Sequence, residues 1–162
     1  MTPGTLAQYL DKLGEPFEAG SCSGTNVSDI IEMYDEFTPK AVTQGLPPAN
    51  ASARHRWVEA LFQTGDNFAA WKLGKVAGHS VLIPDLERND AEYLIFVLGQ
   101  YQNRGVGTVL TRIAINRAIA LGIHQLWLTV EAYNFRAIRM YKNAGFQFCD
   151  EGDRERTMLK EL

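Results

Sequence analysis

The clearest chemical signal in the sequence is a short glycine-rich stretch between an apolar run and a strongly patterned helix. It reads Gln102-Asn103-Arg104-Gly105-Val106-Gly107-Thr108. The first turn of a helix carries unpaired N–H groups and the positive end of the helix dipole, so it attracts anions. Glycine has no Cβ, which lets a phosphate approach those N–H groups closely. The stretch therefore predicts a phosphate-binding loop, and a plain helix start is the alternative for this stretch taken alone.

Two common types of nucleotide-binding loop are excluded by the residues that follow. A Walker loop requires Gly-Lys-Ser/Thr, whereas here Gly107 is followed by Thr108 and Val109. A dinucleotide-binding fingerprint requires a third glycine at position 110, which is Leu110 in this chain. The loop therefore fits neither of these ligand classes.

A second motif lies downstream, where a short helix follows a strand. It reads Asn134-Phe135-Arg136-Ala137-Ile138-Arg139-Met140-Tyr141-Lys142-Asn143-Ala144-Gly145-Phe146. Asn134 stands at the start of this helix, and Tyr141 follows two turns later. The two motifs at this separation resemble the GCN5-related N-acetyltransferase (GNAT) superfamily. The resemblance covers residues 67–162 well, and it covers the first third of the chain only in the order of one strand and two helices.

The resemblance implies an α/β (α+β) fold with a mixed, mostly antiparallel twisted sheet flanked by helices. In that fold the sheet splits into a V between two central strands, here residues 93–98 and 125–130. Acetyl-CoA would lie in the split as the acetyl donor, and no metal would be needed. Its diphosphate would bind the amides of the glycine-rich stretch, and its pantetheine arm would pair with the free edge of the first of these strands.

The residues implied to bind acetyl-CoA come from the strand edge, the glycine-rich stretch and the start of the second helix. They are Ile95, Phe96, Val97, Gln102, Asn103, Arg104, Gly105, Val106, Gly107, Thr108 and Asn134. Asn134 would hydrogen-bond the pantetheine arm. Four cations near the two motifs are candidates to meet the phosphates, and the sequence does not choose among them. These cations are Arg104, Arg136, Arg139 and Lys142.

Acetyl transfer to an amine sets three chemical requirements. A primary amine has a pKa near ~10, so it is protonated at neutral pH, and a base or a water chain must accept its proton. Attack on the thioester builds negative charge on oxygen, which a backbone N–H near Val97 or Leu98 could stabilise. The leaving thiolate needs a proton, and the resemblance implies that Tyr141 is the general acid. The alternative for Tyr141 is a core tyrosine.

The general base has several candidates. Glu92 begins the apolar strand and resembles the base of the histone-acetylating branch, although the turn from strand to loop is one residue shorter here. Glu131, His79 and an ordered water chain are the alternatives, and a lone histidine in a strand more often has a structural role. The implied catalytic residues are therefore Tyr141 and Glu92.

The resemblance thus implies an N-acetyltransferase that moves acetyl from acetyl-CoA to a primary amine by direct attack. The alternative is a GNAT-like module that binds or senses acyl-CoA without turnover, and Tyr141 argues against it. The acceptor, a small-molecule or peptide amine, would contact the first two helices and the proline-rich loop between them. An acidic pair there, Asp35 and Glu36, could hold an ammonium group. The specificity candidates are Tyr34, Asp35, Glu36, Phe37 and residues 44–48.

These groups must be positioned by elements whose periodicity is visible in the sequence. Strands are predicted at 17–22, 67–73, 76–83, 93–98 and 124–130, with a final hairpin at 146–149 and 157–159. Helices are predicted at 26–37, 51–63, 105–121 and 134–143. Leucine and tyrosine at positions 6, 9, 10 and 13 have helical spacing, so a short helix is predicted over residues 5–13. It belongs to an N-terminal helical extension, residues 1–14, of a single domain that covers residues 1–162.

Composition and charge exclude several other classes of protein. The chain has 162 residues, of which 46% are hydrophobic and 22% charged, and its net charge is −3. These values fit a folded domain and lack the basic character of a nucleic-acid-binding protein. The longest strongly apolar run, residues 94–98, is far shorter than the ~20 residues that span a bilayer. We therefore expect neither nucleic acid nor a membrane as a partner.

Cysteine and histidine positions complete the sequence-based expectations. The two cysteines have no paired spacing and no signal-peptide pattern is present, which predicts a reduced, cytoplasmic protein. The three histidines have no metal-ligand spacing. Cys22 stands at the centre of a segment that imitates a nucleophile elbow, but the segment lacks a base and a group to orient it. The oligomeric state is not readable, and a homodimer is one option.

Overall fold

In the part of the chain that the structure describes, eight strands form one open sheet. The structure is a computed structural model and describes residues 6–40 and 46–162. The strands are β1 Ala7–Leu10, β2 Pro16–Cys22, β3 Asp66–Lys72, β4 Lys75–Asp85, β5 Asp90–Val97, β6 Gln125–Glu131, β7 Gln147–Phe148 and β8 Glu155–Glu161. Their order is β1-β2-β3-β4-β5-β6-β8-β7, and every neighbouring pair is antiparallel except β5 and β6. This is the mixed, mostly antiparallel sheet that the family resemblance implies.

Four α-helices flank this sheet within the described residues. They are α1 Val27–Glu36, α2 Ala51–Thr64, α3 Val106–Ala120 and α4 Phe135–Asn143. On one face, α1 and α2 pack over β3 and β4 around a core that includes Tyr34 and Val58. On the other face, α3 and α4 bury a larger core that includes Leu110, Leu126 and Tyr141. None of the helices described here is both long enough and apolar enough to cross a membrane.

The parallel contact between β5 and β6 is short, and it creates a split in the sheet. Within the described chain, three residue pairs join the two strands, from Asp90 with Gln125 to Glu92 with Trp127. Beyond Glu92, β5 keeps its partner β4 as far as Val97, while β6 continues beside β8. The two strands therefore diverge, and the V-shaped split predicted between them is confirmed.

The N-terminal segment is a strand, so the helix predicted over residues 5–13 is wrong for the residues that are described. β1 pairs antiparallel with β2, and the Tyr9 ring stacks on Phe17 with 5.6 Å between centroids. Leu10 and Leu13, which a helix would have buried, are 71% and 66% exposed. A helix this short is unstable by itself, whereas the hairpin pairs the inward-facing backbone groups of β1 with β2.

A buried histidine links α1 to the sheet. The Nε2 atom of His79, on β4, lies 2.8 Å from Oδ1 of Asn67, whose amide nitrogen donates to the carbonyls of Leu61 and Gly65. Because Asn67 thus presents its oxygen, Nε2 carries the proton. The Tyr34 hydroxyl then donates to Nδ1 at 2.7 Å. Burial lowers the pKa of His79 to about 3, so the ring is neutral and structural.

This histidine is expected to make the fold sensitive to acid. In the unfolded chain His79 gains a proton near its ordinary pKa of 6.5, whereas in the fold it does so only near about 3. Between these values the unfolded state binds more protons, so stability is lost as the pH falls. We expect the free energy of unfolding to drop by up to about 1.4 kcal/mol per pH unit below pH 6.5.

The variant His79→Gln, which cannot titrate, is expected to lose this contribution to the slope. His124→Gln removes an exposed histidine instead and should keep the wild-type slope. Urea unfolding of the three proteins at several pH values between about 7 and 5 measures the difference. Equal slopes for His79→Gln and wild type would contradict the assignment.

Candidate active site

The glycine-rich stretch lies between the end of β5 and the start of α3. α3 begins at Val106, directly after Gly105, whose φ of 93° is left-handed. The Val109 N–H donates to the Gly105 carbonyl at 3.1 Å and opens the helical hydrogen-bond series. Among the described residues, the N–H groups of 106–108 have no partner, and the first turn contains no acidic side chain. The loop therefore presents free donors to an anion.

The two glycines of the loop are required for different reasons. A Cβ at Gly105 would meet Cγ of Lys12 at an ordinary 3.8 Å, so this position favours glycine because of its positive φ. A Cβ at Gly107 would lie 2.7 Å from Sδ of Met140, so Gly107 allows α3 to begin directly against α4. Asn103 has a φ of 64°, and left-handed residues in such loops turn N–H groups toward an anion.

Gln102 fastens the loop to both sides of the split. Its Nε2 donates to the Val97 carbonyl at the end of β5, at 2.9 Å. Its Oε1 accepts a hydrogen bond from Nη1 of Arg136, in the first turn of α4, at 3.0 Å. The amide group thus joins the end of β5 to the start of α4. The sequence indicates Gln102 as a loop residue but does not reveal this bridge. One partner is a backbone carbonyl, which no residue type marks, and the other is Arg136, 34 residues later.

The hydrogen bonds of β5 decide which of its backbone groups face the split. The Leu98 N–H donates to the Ala77 carbonyl of β4 at 2.9 Å. Residues of an antiparallel pair alternate in direction, so Phe96 also points its backbone to β4, while Ile95 and Val97 point theirs into the split. The predicted free edge is therefore corrected at Phe96. Leu98 is excluded as the oxyanion donor, and Val97, whose carbonyl is bonded to the loop, still offers its N–H.

Two tyrosines are buried beside the split. Tyr141 of α4 meets Phe146 edge-on with centroids 5.8 Å apart, and burial raises the pKa of its hydroxyl. Tyr93 of β5 stacks on the same ring at 6.4 Å, and its hydroxyl is 2.8 Å from that of Thr111. Among the described residues, no hydrogen-bond partner is found for the Tyr141 hydroxyl. Sequence reasoning missed Tyr93. Counting back from Val97 in steps of two residues would have placed its side chain on the same face of β5 as Ile95 and Val97.

The start of α4 carries the second motif. Oδ1 of Asn134 caps the helix by accepting a hydrogen bond from the Ala137 N–H at 3.2 Å. The NH2 group of Asn134 has no partner in the described part of the chain, so it remains available as a donor. Farther along, Nζ of Lys142 lies 5.1 Å from the centre of the Phe148 ring, and Arg139 is exposed.

Among the candidates for the base, Glu92 has the environment that suits this role best. It is partly buried where β5 and β6 separate, and desolvation raises its pKa. Side chains alternate along a strand, so Glu92 lies on the face opposite to Tyr93, which is the face of α1 and α2. His79 is excluded at neutral pH because both of its ring nitrogens are hydrogen-bonded in the core. Glu131 is exposed at the end of β6.

The two acids expected to attract an ammonium group, Asp35 and Glu36, have different surroundings. Oδ1 of Asp35 accepts hydrogen bonds from Nε and Nη2 of Arg54 at 3.0 and 2.7 Å, and it lies 3.1 Å from Nε2 of His55. Partial burial by itself would raise the pKa of Asp35. The hydrogen bonds with Arg54 and His55 outweigh this effect and hold the pKa below its usual value. Asp35 therefore already has cationic partners, whereas Glu36 is exposed on α1.

The same arginine fixes the segment just before α2, at residues 48 and 49. Arg54 is buried, and its Nη1 donates to the carbonyls of Pro48 and Ala49 at 3.2 and 3.0 Å. These two residues are thus tied to α2 and, through the bonds of Arg54 to Asp35, to α1. Two residues of the predicted acceptor segment, 44 and 45, lie outside the described residues.

Three other residues singled out in the sequence are buried, in the case of Tyr34 and Phe37, or partly buried, in the case of Cys22. Tyr34 and Phe37 are buried and pack edge-to-face with Phe96. Neither offers a free surface to an acceptor. Burial raises the pKa of Cys22 to about 12. A thiol that stays protonated is a poor nucleophile, so Cys22 does not act as the centre of a nucleophile elbow.

Several solved structures share this fold at low sequence identity. The GNAT domain of PAT from S. lividans is 17% identical, with a TM-score of 0.81 over 97% of this chain and 97% of that chain. The ribosomal-protein-S18-alanine N-acetyltransferase from Escherichia coli is 20% identical, with a TM-score of 0.71 over 90% and 94%. The yncA protein from Salmonella typhimurium, solved with its cofactor acetyl-CoA, is 19% identical, with a TM-score of 0.71 over 90% and 94%.

Sequence comparison gives a family match that is independent of these likenesses. No curated protein matches the chain in sequence. The Acetyltransferase (GNAT) family, however, matches residues 27–146, a segment that begins with α1 and includes the glycine-rich loop and the whole second motif. On this match and on the fold, the chain belongs to the acetyltransferase (GNAT) family.

Proposed function

We propose that the protein transfers acetyl from acetyl-CoA to a primary amine by direct attack of the amine on the thioester. The observation that best supports this is the set of free backbone groups that lead from the split to α3. Ile95 and Val97 turn their backbone into the split, and the N–H groups of 106–108 are free at the start of α3. An extended arm can pair with such an edge, and a diphosphate suits such a helix start. One ligand that carries both parts would use both.

The residues present fit acetyl-CoA, which supplies an activated acetyl group as a thioester. The loop amides would hold its diphosphate, and the Ile95 backbone would pair with its pantetheine arm, while the Val97 N–H would face the thioester at the end of that arm. The free NH2 group of Asn134 would donate to that arm, while its Oδ1 caps α4. Gln102 would orient the loop toward the split through its bonds to both sides.

Proton movement is divided between the two faces of the sheet. Glu92 would accept the proton of the amine, because its raised pKa makes it a stronger base than an exposed carboxylate. Tyr141 stays protonated at neutral pH and would donate to the leaving sulfur. Burial would raise the pKa of the CoA thiol in the same surroundings as well, so it would not by itself widen the difference between the pKa values of proton donor and acceptor. The Val97 N–H would stabilise the charge on the thioester oxygen.

We infer that the acceptor is a small-molecule or peptide amine that enters from the face of α1 and α2. Glu92 lies on that face, and so does the loop tied down by Arg54. An ammonium group would meet Glu36 there rather than Asp35, because the carboxylate of Asp35 is already bonded to Arg54.

The test begins with ligand-dependent stability. Acetyl-CoA and CoA should raise the Tm and ATP should not, since a ligand at about 100 times its Kd adds about 2.7 kcal/mol. Release of CoA with a panel of amines then tests transfer. No response of the Tm to CoA would contradict the acetyl-CoA site. Stabilisation without CoA release on any amine would favour the binding module over the enzyme.

Two glycines that flank α3, Gly105 and Gly122, give this test a matched pair of variants. Gly105→Val places a β-branched residue at a φ of 93° and adds methyl groups beside the loop amides, so CoA binding should be lost. Gly122→Val, at a φ of 76° just beyond the other end of α3, carries the same kind of strain with open space around it. Both variants should lose about 1–2 kcal/mol of stability. Equal CoA affinity in the two variants would contradict the role of the loop.

A further inference from the structure

The turn between β1 and β2 lies against the phosphate loop, although it is outside the segment that matches the family. The Lys12 N–H donates to the Arg104 carbonyl at 2.9 Å. The Lys12 side chain runs beside Gly105, with its Cγ 3.8 Å from the position of a Cβ there. The family match begins only at residue 27. The N-terminal hairpin therefore forms part of the wall around the start of α3.

A buried ion pair holds this turn in position. Oδ1 of Asp11 accepts hydrogen bonds from the N–H groups of Leu13 and Glu15 at 2.8 and 2.9 Å. Oδ2 of Asp11 accepts one from Nζ of Lys72 at 2.9 Å, and the two side chains are 1% and 7% exposed. Glu15 binds the same ammonium group at 2.6 Å. Separation of Asp11 from Lys72 would leave each as an unpaired buried charge, which is unfavourable. The ion pair therefore fixes the position of the turn.

The cations around the loop differ in whether they have partners. Nη1 of Arg104 lies 3.9 and 3.7 Å from the carboxylates of Asp11 and Glu15. Arg136 donates to the glutamine of the loop. Lys12, by contrast, is exposed and pairs with no carboxylate in the described part of the chain. The dipole of α3 repels a cation at this end, so an anionic ligand between them would relieve the repulsion.

We propose that Lys12 is a CoA-binding residue whose ammonium group donates to a phosphate of CoA at the start of α3. Asp11 and Lys72 are positioning residues, because they hold the turn that carries Lys12. This inference rests on the proposed acetyl-CoA site and adds to it a residue from outside the family match. It gives the phosphate a cation that has no carboxylate partner in the described chain, whereas Arg104 already faces two carboxylates.

The test compares Lys12→Ala with Lys12→Arg and with Lys160→Ala. Lys160 lies on β8 opposite Leu126, near the closed end of the split, so its removal changes the net charge equally but far from the loop. Calorimetry gives the Kd for CoA at low and moderate salt. We expect Lys12→Ala to raise this Kd about tenfold or more, as for loss of a hydrogen bond to a charged group. Lys12→Arg and Lys160→Ala should remain close to wild type.

The outcomes separate this inference from the proposed function. Wild-type protein that binds no CoA overturns both. Wild-type binding with an unchanged Kd in Lys12→Ala overturns only the role of Lys12. An equal loss in Lys160→Ala also overturns it, because net charge would then explain the effect. The salt dependence of CoA binding should be weaker in Lys12→Ala than in wild type, since one charge–charge contact is missing.

A double-mutant cycle tests the positioning role of Asp11. Asp11→Asn should raise the Kd for CoA when Lys12 is present and add little when Lys12 is already alanine. Additive effects of the two substitutions would contradict a route through Lys12. Tm values of the ligand-free variants report any loss of stability separately from the change in Kd.

Discussion

Replacement of Tyr141 by phenylalanine is expected to lower kcat about 100-fold and to leave the Kd for CoA unchanged. The phenyl ring keeps its edge-on contact with Phe146, so the core around α4 stays filled. What disappears is a hydroxyl for which no partner is found among the described residues. The leaving thiolate must then take its proton from water. Steady-state kinetics and calorimetry on the same preparation measure the two quantities.

Tyr93→Phe is the matched control for this prediction. Tyr93 is equally buried and packs on the same phenylalanine ring, but its hydroxyl is hydrogen-bonded to Thr111. Its loss should cost about 1–2 kcal/mol of stability, because the buried Thr111 hydroxyl is left without a partner. The value of kcat should stay close to that of wild type. A normal kcat in Tyr141→Phe, or a similar loss in both variants, would remove Tyr141 as the general acid.

Glu92→Gln is expected to lower kcat about 10²- to 10³-fold at neutral pH and to flatten the acidic limb of the pH–rate profile. In wild type, activity should rise with pH as Glu92 loses its proton. Desolvation raises the pKa of Glu92 above its usual value of 4.5, so this limb should lie above pH 4.5. Glutamine has the same shape but accepts no proton. An unchanged limb would leave Glu131 or water as the base.

The same substitution should make the protein more stable at neutral pH. The folded-state pKa of Glu92 is raised, so the favourable contribution of its neutral form is present at low pH and is lost as the pH rises through that pKa. Above it, the fold contains an ionised carboxylate that burial disfavours. Glu92→Gln removes this cost, and its gain in Tm should vanish toward low pH.

Stability that rises while activity falls distinguishes a base from a structural residue. Glu131→Gln is the control, since Glu131 is exposed and its loss should leave both quantities nearly unchanged. A loss of both stability and activity in Glu92→Gln would indicate that Glu92 has a packing role only.

The parts of the fold that follow from local pattern are predictable from the sequence. The β3–β4 hairpin turns at Gly74, and α3 ends before Gly122, and both glycines have a positive φ. β1 is different, because its apolar spacing also fits a helix and its true partner lies in β2. A pattern within one segment cannot show which other segment will pair with it. The error at the N-terminus is therefore an error about tertiary contact.

In the candidate site too, the local features are predictable from the sequence and the features that depend on tertiary contact are not. The glycine-rich loop and the cap at Asn134 are local features, and the sequence indicates both. The direction of the Phe96 backbone depends on the register with β4, which no local pattern contains. The ion pair between Asp35 and Arg54 joins two helices, so the availability of Asp35 could not be judged in advance. Charge alone could suggest an ammonium site there but could not exclude an internal partner.

The short contact between β5 and β6 also bears on how the sheet responds to a bulky ligand. In the described chain, three residue pairs at the closed end and the adjoining hydrogen bond from the His124 N–H to the Asn89 carbonyl are the backbone contacts between the β5 and β6 sides of the sheet. Elsewhere across the gap, side chains such as Tyr93 and Phe146 make the connection. Ladder hydrogen bonds are directional, whereas apolar burial is not. We therefore expect the mouth of the split to widen around a bulky ligand without loss of a ladder hydrogen bond on either side. The cost would fall on side-chain contacts across the gap, such as the bridge that Gln102 makes between Val97 and Arg136.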